Sequence, residues 1–79
     1  MSEDLTRRVK RVLSESFEID INDITEDLSH SSIPSWRGPN HIRMISNLEK
    51  EFDLKFEEGE KEILFNYKNI LSTVLAYLD

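Results

Sequence analysis

The chain has 79 residues, 38% hydrophobic and 33% charged, with no cysteine, two glycines and two prolines; 16 acids against 10 bases give a formal net charge of −6. A chain of this size holds one core rather than two. The lack of cysteine excludes a disulfide scaffold and a thiolate zinc site, while the acidity makes nucleic acid a poor partner and a basic protein surface a suitable one. The longest apolar runs, such as Val74 to Leu78, fall far short of the ~20 residues of a membrane span, and no apolar h-region follows the first charges. The expectation is a soluble, cytoplasmic, monomeric domain over residues 1–79 that binds neither nucleic acid nor membrane.

Near the start, Leu5, Val9, Val12 and Leu13 recur at helical spacing and predict a first helix of roughly four turns. Ser2 suits its N-cap, and Glu3 and Asp4 favour the positive end of the helix dipole. Arg7, Arg8, Lys10 and Arg11 fall on the solvent side, paired in part with Asp4 and Glu15. The stretch from Glu15 to Ser35 is rich in acids, lacks lysine and arginine, and becomes serine-rich before Ile33-Pro34. It reads as a long loop, because Phe17, Ile19, Ile21, Ile24 and Leu28 keep no sustained period, yet they are numerous enough to pin it onto a core.

A second helix is predicted from about Pro39, with Met44, Leu48 and Phe52 in an i, i+4, i+8 row and Ile45 beside it. Pro39 suits the first helical position and Gly38 the N-cap before it. The acidic piece Glu57 to Glu62 reads as one or two irregular helical turns. Asn66 then caps a last helix whose stripe is Tyr67, Ile70, Leu71, Val74 and Leu78. Three clear helices, one short one and no alternating strand pattern give an all-α bundle.

Catalytic and metal chemistry find little support. His30 and His41 have no i, i+4 partner and read as surface histidines. Asp20, Asn22, Asp23, Glu26 and Asp27 lack both the turn glycine and the bidentate glutamate of a calcium loop, and so read as a solvated acidic loop. The four bases of the first helix are too few for phosphate-backbone binding. The informative stretch is Ile33-Pro34-Ser35-Trp36-Arg37-Gly38-Pro39-Asn40-His41-Ile42, a loop-to-helix junction carrying the only tryptophan. Taken by itself, Trp36 reads as a core or loop-pinning aromatic rather than a ligand platform.

Several pieces stand in an order found in acyl carrier proteins. They are the first helix, the long loop with Ile24-Thr25-Glu26-Asp27-Leu28, the run Ile42 to Phe52 followed by Asp53-Leu54-Lys55-Phe56, and the terminal Asn66-Tyr67 to Leu78. The segment Glu49-Lys50-Glu51-Phe52-Asp53-Leu54 is especially similar to the acidic-aromatic end of that family's second helix. The resemblance implies a four-helix bundle with a long loop between helices 1 and 2 and a short third helix. It also implies a 4′-phosphopantetheine arm on a serine in an Asp-Ser-Leu motif at the start of the second helix. Here that place reads Arg37-Gly38-Pro39, so Gly38 offers no side chain to modify and no cofactor is expected.

The implied function is a non-catalytic docking or regulatory module for carrier-recognising enzymes of acyltransferase, synthase or ligase type. Docking falls to Trp36, Arg37, Pro39, Ile42, Arg43, Ser46, Glu49 and Lys50. Arg43 and Lys50 interrupt the acidic face that the family usually presents. The alternative is a working carrier in fatty-acid, polyketide or peptide biosynthesis, with the 4′-phosphopantetheine on Ser35. That would put Gly38-Pro39 inside the first helical turn. A third reading is a carrier whose motif has been altered, to be restored by Gly38→Ser alone or with Arg37→Asp and Pro39→Leu.

Overall fold

The computed structural model describes residues 2–78, with side chains from Asp4 onward. Helix α1 spans Ser2–Phe17, α2 Gly38–Phe52, α3 Glu58–Lys61 and α4 Tyr67–Leu78, and a single 3₁₀ turn at Ile21–Asp23 interrupts the first connection. No strand occurs among the described residues, and the fold is all-α. Ser2, expected as the N-cap, is itself the first helical residue, and its side chain is not described.

The stripe of α1 is Val9, Val12, Leu13 and Phe17, all buried, with Leu5 packed at its edge. Glu15, Ser16 and Phe17, expected in the loop, complete the last turn of α1. Glu18 ends the helix at φ 56°, which lets Ile19 N donate to Ser14 O at 3.1 Å and Ser14 Oγ donate to Ile19 O at 2.5 Å. Helix α2 closes in the same way, with Asp53 at φ 53° and Leu54 N donating to Glu49 O at 3.1 Å. A left-handed residue here is usually glycine. Both ends are built without one, so neither announces itself in the sequence.

Met44, Ile45, Leu48 and Phe52 of α2 are buried with the α1 stripe. Within this core Ser16 is fully buried, and its Oγ accepts from Asn47 Nδ2 at 3.0 Å, so the buried hydroxyl is paired. At the edge of the two helices, Arg8 Nε and Arg11 reach the Glu51 carboxylate at 2.8 and 2.9 Å, and the Arg8 guanidinium lies 4.6 Å from the Phe52 ring centroid. Arg8 and Arg11 therefore pair with Glu51 of α2 rather than with Asp4 or Glu15. An interhelical partner lies beyond any local spacing rule.

The long loop is pinned as its composition predicts, though by fewer residues. Ile24 and Leu28 are buried, Ile19 and Ile33 pack partly, and Ile21 is exposed on the 3₁₀ turn. Its serine-rich end is stitched to the start of α4: His30 N donates to Phe65 O at 2.8 Å and Tyr67 N to Leu28 O at 2.9 Å, an isolated antiparallel bridge centred on Ser29 and Asn66.

Helix α3 contributes no buried residue. It is held by a reciprocal Glu57–Glu60 capping box and by Tyr77 of α4, whose hydroxyl donates to the Glu60 carboxylate and accepts from Glu57 N at 3.3 Å. Asn66 caps α4 as expected, its Oδ1 accepting from Asn69 N at 2.7 Å. Tyr67, Ile70 and Val74 fill the core, but Leu78 is exposed, and Tyr77 takes the packed position against Phe56 at the end of the stripe.

Candidate functional site

The residues flanking the start of α2 carry the chemistry. Arg37, not Gly38, is the N-cap: its backbone is extended, and its carbonyl accepts from Asn40 N at 2.9 Å and His41 N at 3.3 Å. Gly38 is the first helical residue, at φ 37°, and Pro39 follows at the second position. The reason lies in the Gly-Pro pair. Proline disfavours right-handed helical backbone in the residue before it, and glycine meets that restriction with a left-handed φ at little cost. A Cβ at Gly38 would point into open space. The glycine is therefore needed for its backbone rather than for lack of room.

Trp36 is buried and stacks on Phe17 with ring centroids 4.7 Å apart, so its indole does not face a docking partner as the resemblance implied. Its Nε1–H donates to His41 Nδ1 at 3.0 Å, while His41 Nε2 lies 3.2 Å from the Lys61 carbonyl. The two bonds fit one neutral tautomer, in which Nε2 carries the proton and donates to Lys61. The His41 ring also lies flat on Phe65, with centroids 4.4 Å apart and planes at 9°. His41 is thus half-buried at a junction of three segments, not a surface histidine.

Ser35, the fallback attachment residue, has a buried Oγ with no hydrogen-bond partner among the described residues. Its carbonyl accepts from Asn40 Nδ2 at 2.9 Å and from Arg37 N at 3.0 Å, which closes the loop over it. A hydroxyl so placed cannot attack a bulky donor without the loop opening.

Of the other residues expected to dock a partner, Pro39, Ile42, Arg43, Ser46 and Lys50 share the exposed side of α2. Ile42 keeps 67% of its surface in water. Arg43 reaches back to the Glu15 carbonyl at 3.4 Å, and Arg37 Nε donates to the Pro34 carbonyl at 3.1 Å. Glu49 stands apart: half-buried, it accepts from Phe56 N at 2.9 Å and so fixes the turn after α2. The outward face near Gly38 is consequently basic and apolar in a chain of net charge −6.

Beside Gly38 opens a groove of about 690 Å³, walled by Ile33, Pro34, Trp36 and Phe65 and edged by His30, Ser31, Ser32 and Arg37. Phe65, which the sequence reading passed over, links both histidines, with His30 edge-on at 5.1 Å and His41 stacked on it. No local spacing could have shown this, because the three rings come from separate segments. A smaller hollow of about 360 Å³ lies between Lys10, Glu26 and Ser72, beside Tyr67. The Tyr67 hydroxyl is buried beside Thr6, and burial pushes its pKa up against the opposing hydrogen bond with Thr6.

Among the described residues no three His, Asp or Glu side chains stand close enough to hold a metal ion, and no helix is long and apolar enough to cross a membrane. No protein-family model matches the chain, and no curated protein matches it in sequence. The site is read from its own geometry.

Proposed function

We propose that this chain is an acyl-carrier-protein-like domain that carries no 4′-phosphopantetheine arm and serves as a docking or regulatory module for acyl- or aminoacyl-transfer enzymes. The observation that carries the reading is Gly38 at the first position of α2, at φ 37° and followed by Pro39. This is the place where the resembled family has its modified serine. The order of a long pinned loop, a capped second helix, a short third helix and a final helix supports the carrier-like frame. The buried Oγ of Ser35 weighs against the working-carrier alternative. The exposed residues Ile42, Arg43, Ser46 and Lys50 supply a face for an acyltransferase, synthase or ligase.

Co-expression with a broad-specificity phosphopantetheinyl transferase, followed by intact-mass measurement, tests both halves of the reading. The unaltered chain is expected to keep its unmodified mass; an adduct on any residue overturns the claim that it is not loaded. The triple variant Arg37→Asp, Gly38→Ser, Pro39→Leu is expected to gain one arm. If that variant is folded by circular dichroism and stays unmodified, the carrier-like frame itself is wrong.

A further inference from the structure

The groove beside Gly38 differs from the rest of this acidic chain in its charge. Among the described residues none of the acids lines it, and its one formal charge is the guanidinium of Arg37. Its volume of about 690 Å³ lies inside the range of about 300–1,000 Å³ that small-molecule sites occupy.

Its lining is of two kinds. Some lining residues carry groups able to donate hydrogen bonds: Arg37, Ser31, Ser32 and the His30 imidazole. The two serines are held in register by Ser29, whose Oγ lies 3.0 Å from Ser31 Oγ and 3.2 Å from Ser32 Oγ, and whose N–H donates to Ser32 Oγ at 3.2 Å. Arg37 spends its Nε on the Pro34 carbonyl at 3.1 Å, a bond that fixes the plane of the guanidinium. Pro34 and Phe65 of the lining are apolar, and Phe65 is held by the His41 ring stacked on it.

From this lining we infer that the groove is a non-covalent binding site for a small phosphate monoester with an aromatic or compact apolar body. The terminal oxygens of such a group can accept from the guanidinium and from whichever serine hydroxyl is not committed to Ser29 Oγ, with the His30 imidazole beside them, and charge-assisted bonds of this kind are about twice as strong as neutral ones. The organic body stacks on Phe65 and Pro34. The inference does not rest on the carrier-like reading, because the ligand is held without a covalent bond and the recognising residues belong to the loop and to Phe65.

Phenyl phosphate is a suitable probe, and Trp36, the only tryptophan, reports from the wall of the groove itself. Titration is expected to change Trp36 fluorescence saturably and to shift the amide signals of His30, Ser31, Ser32, Gly38 and Phe65 in heteronuclear NMR. Arg37→Gln is expected to weaken binding about tenfold, the loss of one charge-assisted hydrogen bond. Arg37 is exposed, and a far-UV spectrum checks that the variant keeps its helices. Inorganic phosphate and phenol should each bind more weakly than phenyl phosphate. Phenol binding as well as phenyl phosphate, amide shifts spread evenly over the chain, or an Arg37→Gln variant of unchanged affinity would each overturn the inference. Inorganic phosphate binding as tightly as phenyl phosphate would overturn the role of the apolar wall.

Discussion

The indole Nε1–H of Trp36 and the Nδ1 of His41 meet at 3.0 Å, and this contact joins the buried end of the long loop to the first turn of α2. Removing the histidine strands a buried donor, and such a loss costs about 1–3 kcal/mol. His41→Ala is therefore expected to lower stability by that amount in urea denaturation. Trp36→Phe keeps the stack on Phe17 and removes the donor, while Trp36→Ala loses the packed ring and should cost about 3–5 kcal/mol. A double-mutant cycle of Trp36→Phe with His41→Ala should give a smaller loss than the sum of the single changes. Strict additivity would show that the two side chains do not interact.

At Gly38 the expectation concerns backbone rather than contacts. A serine or alanine there has room but must take a left-handed φ before a proline, which costs about 1–2 kcal/mol. Gly38→Ala and Gly38→Ser should each lower the denaturation midpoint. Gly38→Ser with Pro39→Leu should recover most of the loss, since the preceding residue is then free to become helical. An unchanged midpoint in Gly38→Ala would show that the left-handed φ is not required.

Glu51 links stability to pH. Its hydrogen bond from Arg8, and then that from Arg11, hold its carboxyl below its ordinary value of 4.5 against the opposing effect of burial. A carboxyl whose folded value is depressed stabilises the fold fully above the unfolded value, and that contribution fades as pH falls through the folded one. Glu51→Gln should thus cost about 1 kcal/mol or less at neutral pH, as a partly exposed ion pair does. As pH falls below 4.5 and on through the depressed folded value, the variant and the unaltered chain should converge. A stability difference that persists to pH 2 would locate the loss in packing rather than in the ion pair.

Ser35 buries a hydroxyl that finds no hydrogen-bond partner among the described residues. Deleting such a group removes a desolvation penalty, so Ser35→Ala is expected to be neutral or stabilising by about 1 kcal/mol. Thermal melts followed by circular dichroism measure this. A clear destabilisation would mean that an ordered water completes the bonding of that hydroxyl.

The repeating stripes of α1, α2 and α4 are legible in the sequence because burial on a helix leaves a period of about 3.6 residues. Leu5 to Leu13, Met44 to Phe52 and Tyr67 to Val74 all carry it, while Phe17, which the next turn of α1 adds to the first stripe, reads as loop in the sequence. The cap at Asn66 and the Gly-Pro start of α2 are legible too, since a local steric or bonding need selects those residue types. What escapes is whatever is decided across the chain: Glu51 facing Arg8 and Arg11, the bridge at Ser29 and Asn66, and the meeting of His30, His41 and Phe65. Each joins distant segments, and neither propensity nor period records a pairing of that kind. The left-handed ends at Glu18 and Asp53 escape for a different reason, because residues without a glycine's freedom occupy them. The location of Gly38, the exposure of Ile42 and Arg43 and the packing of Trp36 as a loop-pinning aromatic follow from residue type and place, whereas the burial of the Ser35 hydroxyl depends on the loop closing over it.

His41 also bears on how the molecule comes apart. Its ring bonds to Trp36 on one side and to the Lys61 carbonyl on the other, and its face lies on Phe65. The first turn of α2 and the α3–α4 junction therefore form one cooperative opening unit, although each taken separately is a short, marginal stretch of backbone. A molecule that binds only the closed form of either segment therefore also holds the other closed.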